Sequence, residues 1–472
     1  MPGSNLKWTV APFDLIYSIE QACFIARAAT ERPCTKAGSD HNRCAGHHDG
    51  GLTMATVVTE ARRSATSTRW IQLVLGLIAM MSISSPQYVW TLFTKPLQEA
   101  LGATLPAIQV TFTILIVLQT WLSPVQGYLI DRFGARTLIA VGCLLSGFGW
   151  ISSAFATNLT MLYLTYGLFC GIGTGIVYVG IIGLMVRWFP DRRGLATGLV
   201  AAGYGFGAIL TTFPIDTMMR QAGYQHTLVV FGLILGVVGA AAALGMRMPT
   251  AADVLPPPPA LASKAGTPPG QMLRSPVFWL MFFMMTMMST GGLMIISQFA
   301  AFSRDFGVAN VVVFGLAALP LALTIDRLTN GLTRPFFGFV SDRIGRENTM
   351  AIAFLMEAAA VTLLVMFRDN AVLFVIMSGL VFFGWGEIFS LFPSTLTDIF
   401  GAQHATTNYG WLYVAQGVGS ILGGPLAALL REQTGSWLPV FAIIIAMDAL
   451  TGILALVALK PMRRAYLAAA KR

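Results

Sequence analysis

The chain has 472 residues, 55% of them hydrophobic and only 11% charged, whereas an average soluble chain carries about 25% charged residues. With a mean hydropathy of +0.69, this composition excludes intrinsic disorder. It also leaves too little polar side chain to coat a soluble enzyme of this length, so a lipid bilayer is the expected solvent.

The first residues do not match the rest. Cys34, Cys44, His47 and His48 fit no zinc spacing. The Phe13 to Ala28 stretch is too short and too charged to span, and it lacks the layout of a secretory signal. Residues 1–68 read as a disordered extension, with Met54 as a plausible internal start. Of the remaining cysteines, Cys143 and Cys170 lie inside apolar runs, and the set as a whole gives no metal or disulfide pattern.

A bilayer core needs about 20 mainly apolar residues per helix, and about twelve such stretches follow residue 69. They predict an all-α membrane protein of twelve transmembrane helices. Residues 248–274 interrupt the series with Pro256 to Pro259, Pro268 and Pro269, and read as a cytoplasmic linker. The linker divides the spans six and six, giving one bundle over 69–247 and another over 275–460. A basic tail follows at 461–472.

Net charge is +9, from 30 Lys and Arg against 21 Asp and Glu. Its distribution sets orientation. With a cytoplasmic N-terminus, eighteen Lys and Arg fall on the inner side, among them Arg187, Arg192 and Arg193. Five fall on the outer side: Lys95, Arg220, Arg304, Arg368 and Arg431. This bias places both termini in the cytoplasm of a multi-pass inner-membrane protein and explains the positive charge without a nucleic-acid partner.

One loop occurs twice. Gly127-Tyr-Leu-Ile-Asp131-Arg132-Phe-Gly134-Ala-Arg136 follows the second span, and Gly338-Phe-Val-Ser-Asp342-Arg343-Ile-Gly345-Arg346 follows the eighth. Six-plus-six internal symmetry marks a two-bundle transporter. Gly127 and Gly338 let helices approach closely. Asp131 and Asp342 can meet helix N-termini or a neighbouring cation, while Arg132, Arg136, Arg343 and Arg346 hold the loop at the inner surface. Such a latch can form in one arrangement of the bundles and break in the other.

With this loop in both halves, the chain resembles the major facilitator superfamily, over roughly residues 69–465. Within it the nearer likeness is to the oxalate/formate antiporter family. The residues that carry it are Gln87-Tyr88-Val-Trp90-Thr91, Arg187-Trp188-Phe189-Pro190-Asp191-Arg192-Arg193-Gly194 and Asn330-Gly-Leu-Thr-Arg334-Pro335. Phe392-Pro393-Ser394 to Asp398 and Asn408-Tyr409-Gly410 complete the set.

Charges inside a bilayer are costly, so they are expected to face a cavity and to have a partner. The sequence shows Asp326, Arg327, Arg334 and Glu387 at such depth. Arg334 lies eight residues before Asp342, about 12 Å inside the membrane. Asn330, not an acid, stands one turn away. Arg334 is therefore the candidate anion clamp, since a guanidinium grips a carboxylate through two parallel hydrogen bonds. The competing reading is a structural ion pair with Glu387 or Asp326. Arg327 is a possible second cation or part of an outer gate, although adjacent Asp326 suggests local neutralisation.

The resemblance implies more. Antiporters of that family hold oxalate with this Arg and a Lys in the eleventh span, whose position matches Gln416 here. One cation in place of two favours a monocarboxylate over a dianion. Tyr88, Tyr178, Trp385, Phe389 and Tyr413 match the family's pocket lining, and Gln87 adds a polar group beside Tyr88. The reading is alternating-access exchange of small carboxylates, with proton-coupled monocarboxylate symport as the alternative. The latter rests on the related monocarboxylate transporters and on Asp326 or Glu387 as proton acceptors. No cofactor, metal or obligate protein partner is expected. No metalloprotease motif, nucleophile elbow or nucleotide loop occurs, which disfavours an enzyme or an ATP-driven pump.

Overall fold

In lipid every backbone polar group must be satisfied within the chain, so apolar runs of membrane length fold as helices. The computed structural model describes residues 67–250, 253 and 266–469. Of the proposed N-terminal extension, residues 1–68, everything up to residue 66, with Cys34, Cys44, His47, His48 and Met54, lies outside the described residues, as does most of the linker, whereas Ser67 and Thr68 already belong to the first helix.

The helices run in chain order as α1 (Ser67–Tyr88), α2 (Trp90–Leu101), α3 (Leu105–Trp121), α4 (Ser123–Phe133), α5 (Ala135–Ser153), α6 (Leu159–Trp188) and α7 (Arg193–Leu244). After the linker come α8 (Pro276–Asp305), α9 (Ala318–Ile344), α10 (Arg346–Met366), α11 (Ala371–Trp385), α12 (Ile388–Phe400), α13 (Ala405–Thr434) and α14 (Leu438–Ala469). A two-residue hairpin, β1 (Val312–Val313) with β2 (Leu316–Ala317), precedes α9.

Among the described residues nine helices are long and apolar enough to cross a membrane, or ten with the bent pair α3–α4, which turns by 50°. Two more spans escape that test for physical reasons. The 52-residue α7 is two helices joined at Gly223, whose φ of 81° and ψ of 167° only glycine adopts freely. The 27-residue α9 is long enough, but Asp326, Arg327, Arg334, Asp342 and Arg343 lower its apolar content. Counted this way, the described residues hold twelve membrane-length rods in two bundles. The last helix continues through the basic segment to Ala469, held by Lys460 donating to Asn348 and Arg463 donating to Glu347, both at 2.8 Å.

Two seams join the bundles. In one, α7 packs along α9; in the other, α13 packs on α4 and on the ends of α3 and α6. Small residues make both possible. A Cβ on Gly198 would come within 2.6 Å of the Arg334 carbonyl carbon, and one on Gly127 within 2.8 Å of the Thr406 carbonyl carbon. The repeated loop has one backbone solution in both copies. Gly134 has φ 93° and ψ 148°, Gly345 has φ 93° and ψ 153°, and each ends its helix after the Asp-Arg pair. A side chain is strained in that conformation, which explains the repeated glycine.

Candidate functional site

Each loop aspartate reaches across a seam. The Asp131 carboxylate accepts from the Thr407 N–H at 2.9 Å and the Thr407 hydroxyl at 2.6 Å, at the start of α13. It also pairs with Arg187 at 2.5 Å. The Asp342 carboxylate accepts from the N–H groups of Gly194 and Leu195 at 3.0 and 2.9 Å, at the start of α7. Both acids therefore sit at the positive end of a helix dipole in the opposite bundle.

The four loop arginines do not share one role. Arg132, Arg136 and Arg343 are exposed, but Arg346 is 3% exposed and does not lie at the surface as expected. Its sequence neighbours did not show that Asp398 stands opposite. Arg346 pairs with Asp342 at 2.6 Å and Asp398 at 2.9 Å, and Arg193 pairs with Asp398 at 2.6 Å from the other bundle. This network, with the Asp131 group, closes the end of the molecule that carries the loops.

At membrane depth, closure gives way to a central aromatic layer. Arg334 is 2% exposed. Its Nη1 donates to the Ala201 carbonyl at 2.6 Å and its Nη2 to Asn330 Oδ1 at 2.8 Å, while Nε has no partner. Its guanidinium lies 4.6 Å from the centre of the Phe389 ring. No carboxylate of the described residues comes within ion-pair distance of it, and both oxygens of Glu387 and of Asp326 lack partners. The competing structural ion pair is therefore not formed.

Four of the aromatics anticipated from the sequence meet around this cation. Tyr178 stacks on Tyr413 with ring centres 5.0 Å apart and meets Phe389 edge-on at 6.3 Å. Phe389 in turn meets Trp385 at 5.9 Å. Tyr178 comes from the first bundle and the other three from the second, so the layer spans the division. Trp385 is fixed by its Nε1, which donates to the Met288 carbonyl at 2.9 Å. Tyr88 and Gln87 stand one ring further out: Tyr88 packs on Tyr204, and the Tyr204 hydroxyl donates to Gln87 at 2.5 Å. Gln416 lies one turn beyond Tyr413 on α13, half-buried, with its Oε1 unpartnered. Arg327 is exposed and forms no ion pair with Asp326 among the described residues.

Sequence reasoning missed several partners. Gln119 donates to the Tyr413 hydroxyl at 3.2 Å across the seam, and Tyr204 links Tyr88 to Tyr178. Glu357 and Asp448 add two buried acids to the four intramembrane charges read from the sequence. They escaped because each is a single acid inside a strongly apolar run. The hydrogen bonds between the bundles extend from the loop end up to Arg334 and Tyr413, and none beyond that level occurs among the described residues.

Comparison with known proteins accords with this architecture. A family model described as Major Facilitator Superfamily matches residues 73–327 and 318–471. An oxalate:formate antiporter of Oxalobacter formigenes is 35% identical over 376 residues, covering 79% of this chain and 88% of that protein. Monocarboxylate transporter 13 of Bos taurus is 24% identical over 343 residues, covering 72% and 77%. Among solved structures, the proton:xylose symporter XylE shares the fold with a TM-score of 0.63 at 13% identity, covering 84% of this chain and 96% of its own. Matched across both halves, the chain belongs to the Major Facilitator Superfamily and works as a membrane transporter, not an enzyme.

Proposed function

We propose that the protein exchanges small carboxylate anions by alternating access, with Arg334 as the anion clamp and a preference for monocarboxylates. The observation that carries this reading is a buried guanidinium with no carboxylate partner, at the level where the hydrogen bonds between the bundles end among the described residues. Its anchors are neutral: a backbone carbonyl and the Asn330 amide oxygen. Its net charge is left for a ligand. The similarity to an oxalate:formate antiporter supports a carboxylate as that ligand.

The preference follows from charge. Arg334 supplies one cation, and Gln416 stands where the likeness to the antiporters places a second. A monoanion balances this site, whereas a dianion leaves one negative charge in a low-dielectric chamber. Tyr178 and Tyr413 bound the chamber with rings and offer hydroxyls to a carboxylate. Gln87, Tyr88, Trp385 and Phe389 complete its walls. The two loops hold the chamber shut on one side, and rocking of the bundles exposes it in turn. The basic loop end is the cytoplasmic side of a cell membrane.

The test is transport by the purified protein in liposomes preloaded with formate, acetate or oxalate. Labelled uptake is expected to need an internal carboxylate and to be faster for the monocarboxylates. Equal uptake into empty, voltage-clamped vesicles would reject exchange. Proton-coupled symport is the second reading, favoured by the partnerless buried acids near the site.

A further inference from the structure

One face of α9 and one face of α7 pair rung by rung. On α9 the face is Arg327, Gly331, Arg334 and Gly338; on α7 it is Gly194, Gly198, Ala201 and Gly205. Spacings of three and four residues keep each set on one side of its helix. From the loop end, Gly338 lies against the Gly194 backbone, and a Cβ on Gly198 would come within 2.6 Å of the Arg334 carbonyl carbon. Arg334 then donates to the Ala201 carbonyl at 2.6 Å. The last rung is apolar: a Cβ on Gly331 would lie 3.1 Å from the Phe206 ring. Beyond it the pairing stops. A Cβ on Gly205 would meet nothing within 4 Å, and Arg327 is exposed.

Arg327 does not belong to the lipid side of α9. That side is the stripe Leu328, Leu332 and Phe336, all exposed. The neighbouring Asp326 turns into the second bundle, is 5% exposed and does not pair with Arg327 among the described residues. Arg327 therefore extends the seam face into the space where α7 and α9 part, about 10 Å along the axis from Arg334. A cation at membrane depth in such a place faces water. We propose that Arg327 is an outer capture site for the carboxylate, a station between the external medium and Arg334, with the Gly331–Phe206 contact as the threshold between the two. The inference rests on Arg334 as the central anion clamp. The separation is too large for formate, acetate or oxalate to touch both cations, so the anion meets them in turn. The outer site is wet and holds an anion weakly, whereas the same charge on buried Arg334 acts in a low dielectric. Transfer inward is therefore favourable, and the outer cation speeds loading without trapping the substrate. Unlike the clamp, it needs charge and not a planar fork.

The experiment measures labelled formate uptake by the full-length protein in formate-loaded liposomes, over a range of external formate, in low salt and in about 300 mM sodium chloride. Arg327→Gln is expected to raise KM about fivefold in low salt, the effect of one exposed charge, with the wild-type rate at saturating formate. In high salt the difference should shrink below about twofold. Arg327→Lys should match the wild type in both media, which a residue that needs the guanidinium fork would not. The thiol placed by Arg327→Cys should react with a membrane-impermeant, positively charged thiol reagent, and that reaction should restore the low-salt KM, with the treated wild type as control. Melting temperatures check folding, and should Arg327→Gln fail to fold, the thiol variant before and after modification makes the same comparison. A wild-type KM in Arg327→Gln, a KM change that ignores salt, or a thiol beyond reach of the reagent would overturn the capture site and leave Arg334 standing. Normal uptake by Arg334→Gln would instead remove the clamp on which the inference rests.

Discussion

The Asp131 carboxylate and the Thr407 backbone N–H belong to opposite bundles and meet at 2.9 Å at the first turn of α13. This bond joins a repeated sequence motif to a helix dipole across the seam. Asp342 repeats it at the start of α7. The two loops are therefore one device used twice, each acid holding the other half of the molecule.

Asp131→Asn keeps the shape and removes the charge that faces Arg187 and the helix terminus. Hydrogen bonds to charged groups contribute about 1.5–3 kcal/mol each, so the closed state should lose roughly tenfold in population. Spin labels at Arg132 and Gln403, both exposed, should report a longer distance in the variant. An unchanged distance distribution would show that this acid does not govern closure.

Asp398 is buried among Arg193, Arg346 and Arg463, at 2.6, 2.9 and 3.9 Å. Removing its charge leaves the buried Arg193 without a carboxylate partner, and breaking such a pair costs about 3–5 kcal/mol. Asp398→Asn should lower the melting temperature of the purified protein clearly more than Asp131→Asn does. A smaller fall than in Asp131→Asn would contradict the central place of this acid in the network.

Gly198 and Gly205 lie two turns apart on α7 and predict opposite results. A Cβ at Gly198 would strike the Arg334 carbonyl carbon, whereas one at Gly205 meets nothing within 4 Å. Gly198→Val should abolish uptake by parting the α7–α9 seam and shifting Arg334, at an overpacking cost of about 1–3 kcal/mol. Gly205→Ala should transport as the wild type. Both are read by uptake in liposomes, and similar behaviour of the pair would sink the seam argument.

Gln416→Lys supplies the second cation that the site lacks. Its formate affinity should change little, while oxalate affinity should rise on the order of tenfold, a typical value for one added charge-assisted hydrogen bond. Competition of unlabelled oxalate against labelled formate measures this. Unchanged competition would mean that position 416 does not face the substrate.

The two-bundle fold was legible because the Gly-x-x-x-Asp-Arg-x-Gly loop recurs at matching places, and because a glycine with φ near 93° cannot be replaced freely. Arg334 was legible for a related reason: a cation in an apolar run with Asn330 one turn away stands out. Its second anchor was not, because the Ala201 carbonyl is backbone and leaves no mark in the sequence. Arg346 was misplaced at the surface because its partner Asp398 is 52 residues away. Glu357 and Asp448 were hidden by the hydrophobic neighbours that bury them. Gln119 and Tyr204 were missed because single polar or aromatic residues on membrane helices carry no spacing signal.

The most direct measurement is formate counterflow by Arg334→Lys in liposomes beside the wild type, with folding checked by melting temperature. A lysine cannot hold the Ala201 carbonyl and the Asn330 oxygen and still present a planar fork to a carboxylate. Uptake should therefore fall by about two orders of magnitude, as for loss of a charge-assisted pair worth about 3 kcal/mol. Near-normal uptake by a folded Arg334→Lys protein would contradict the guanidinium as the clamp.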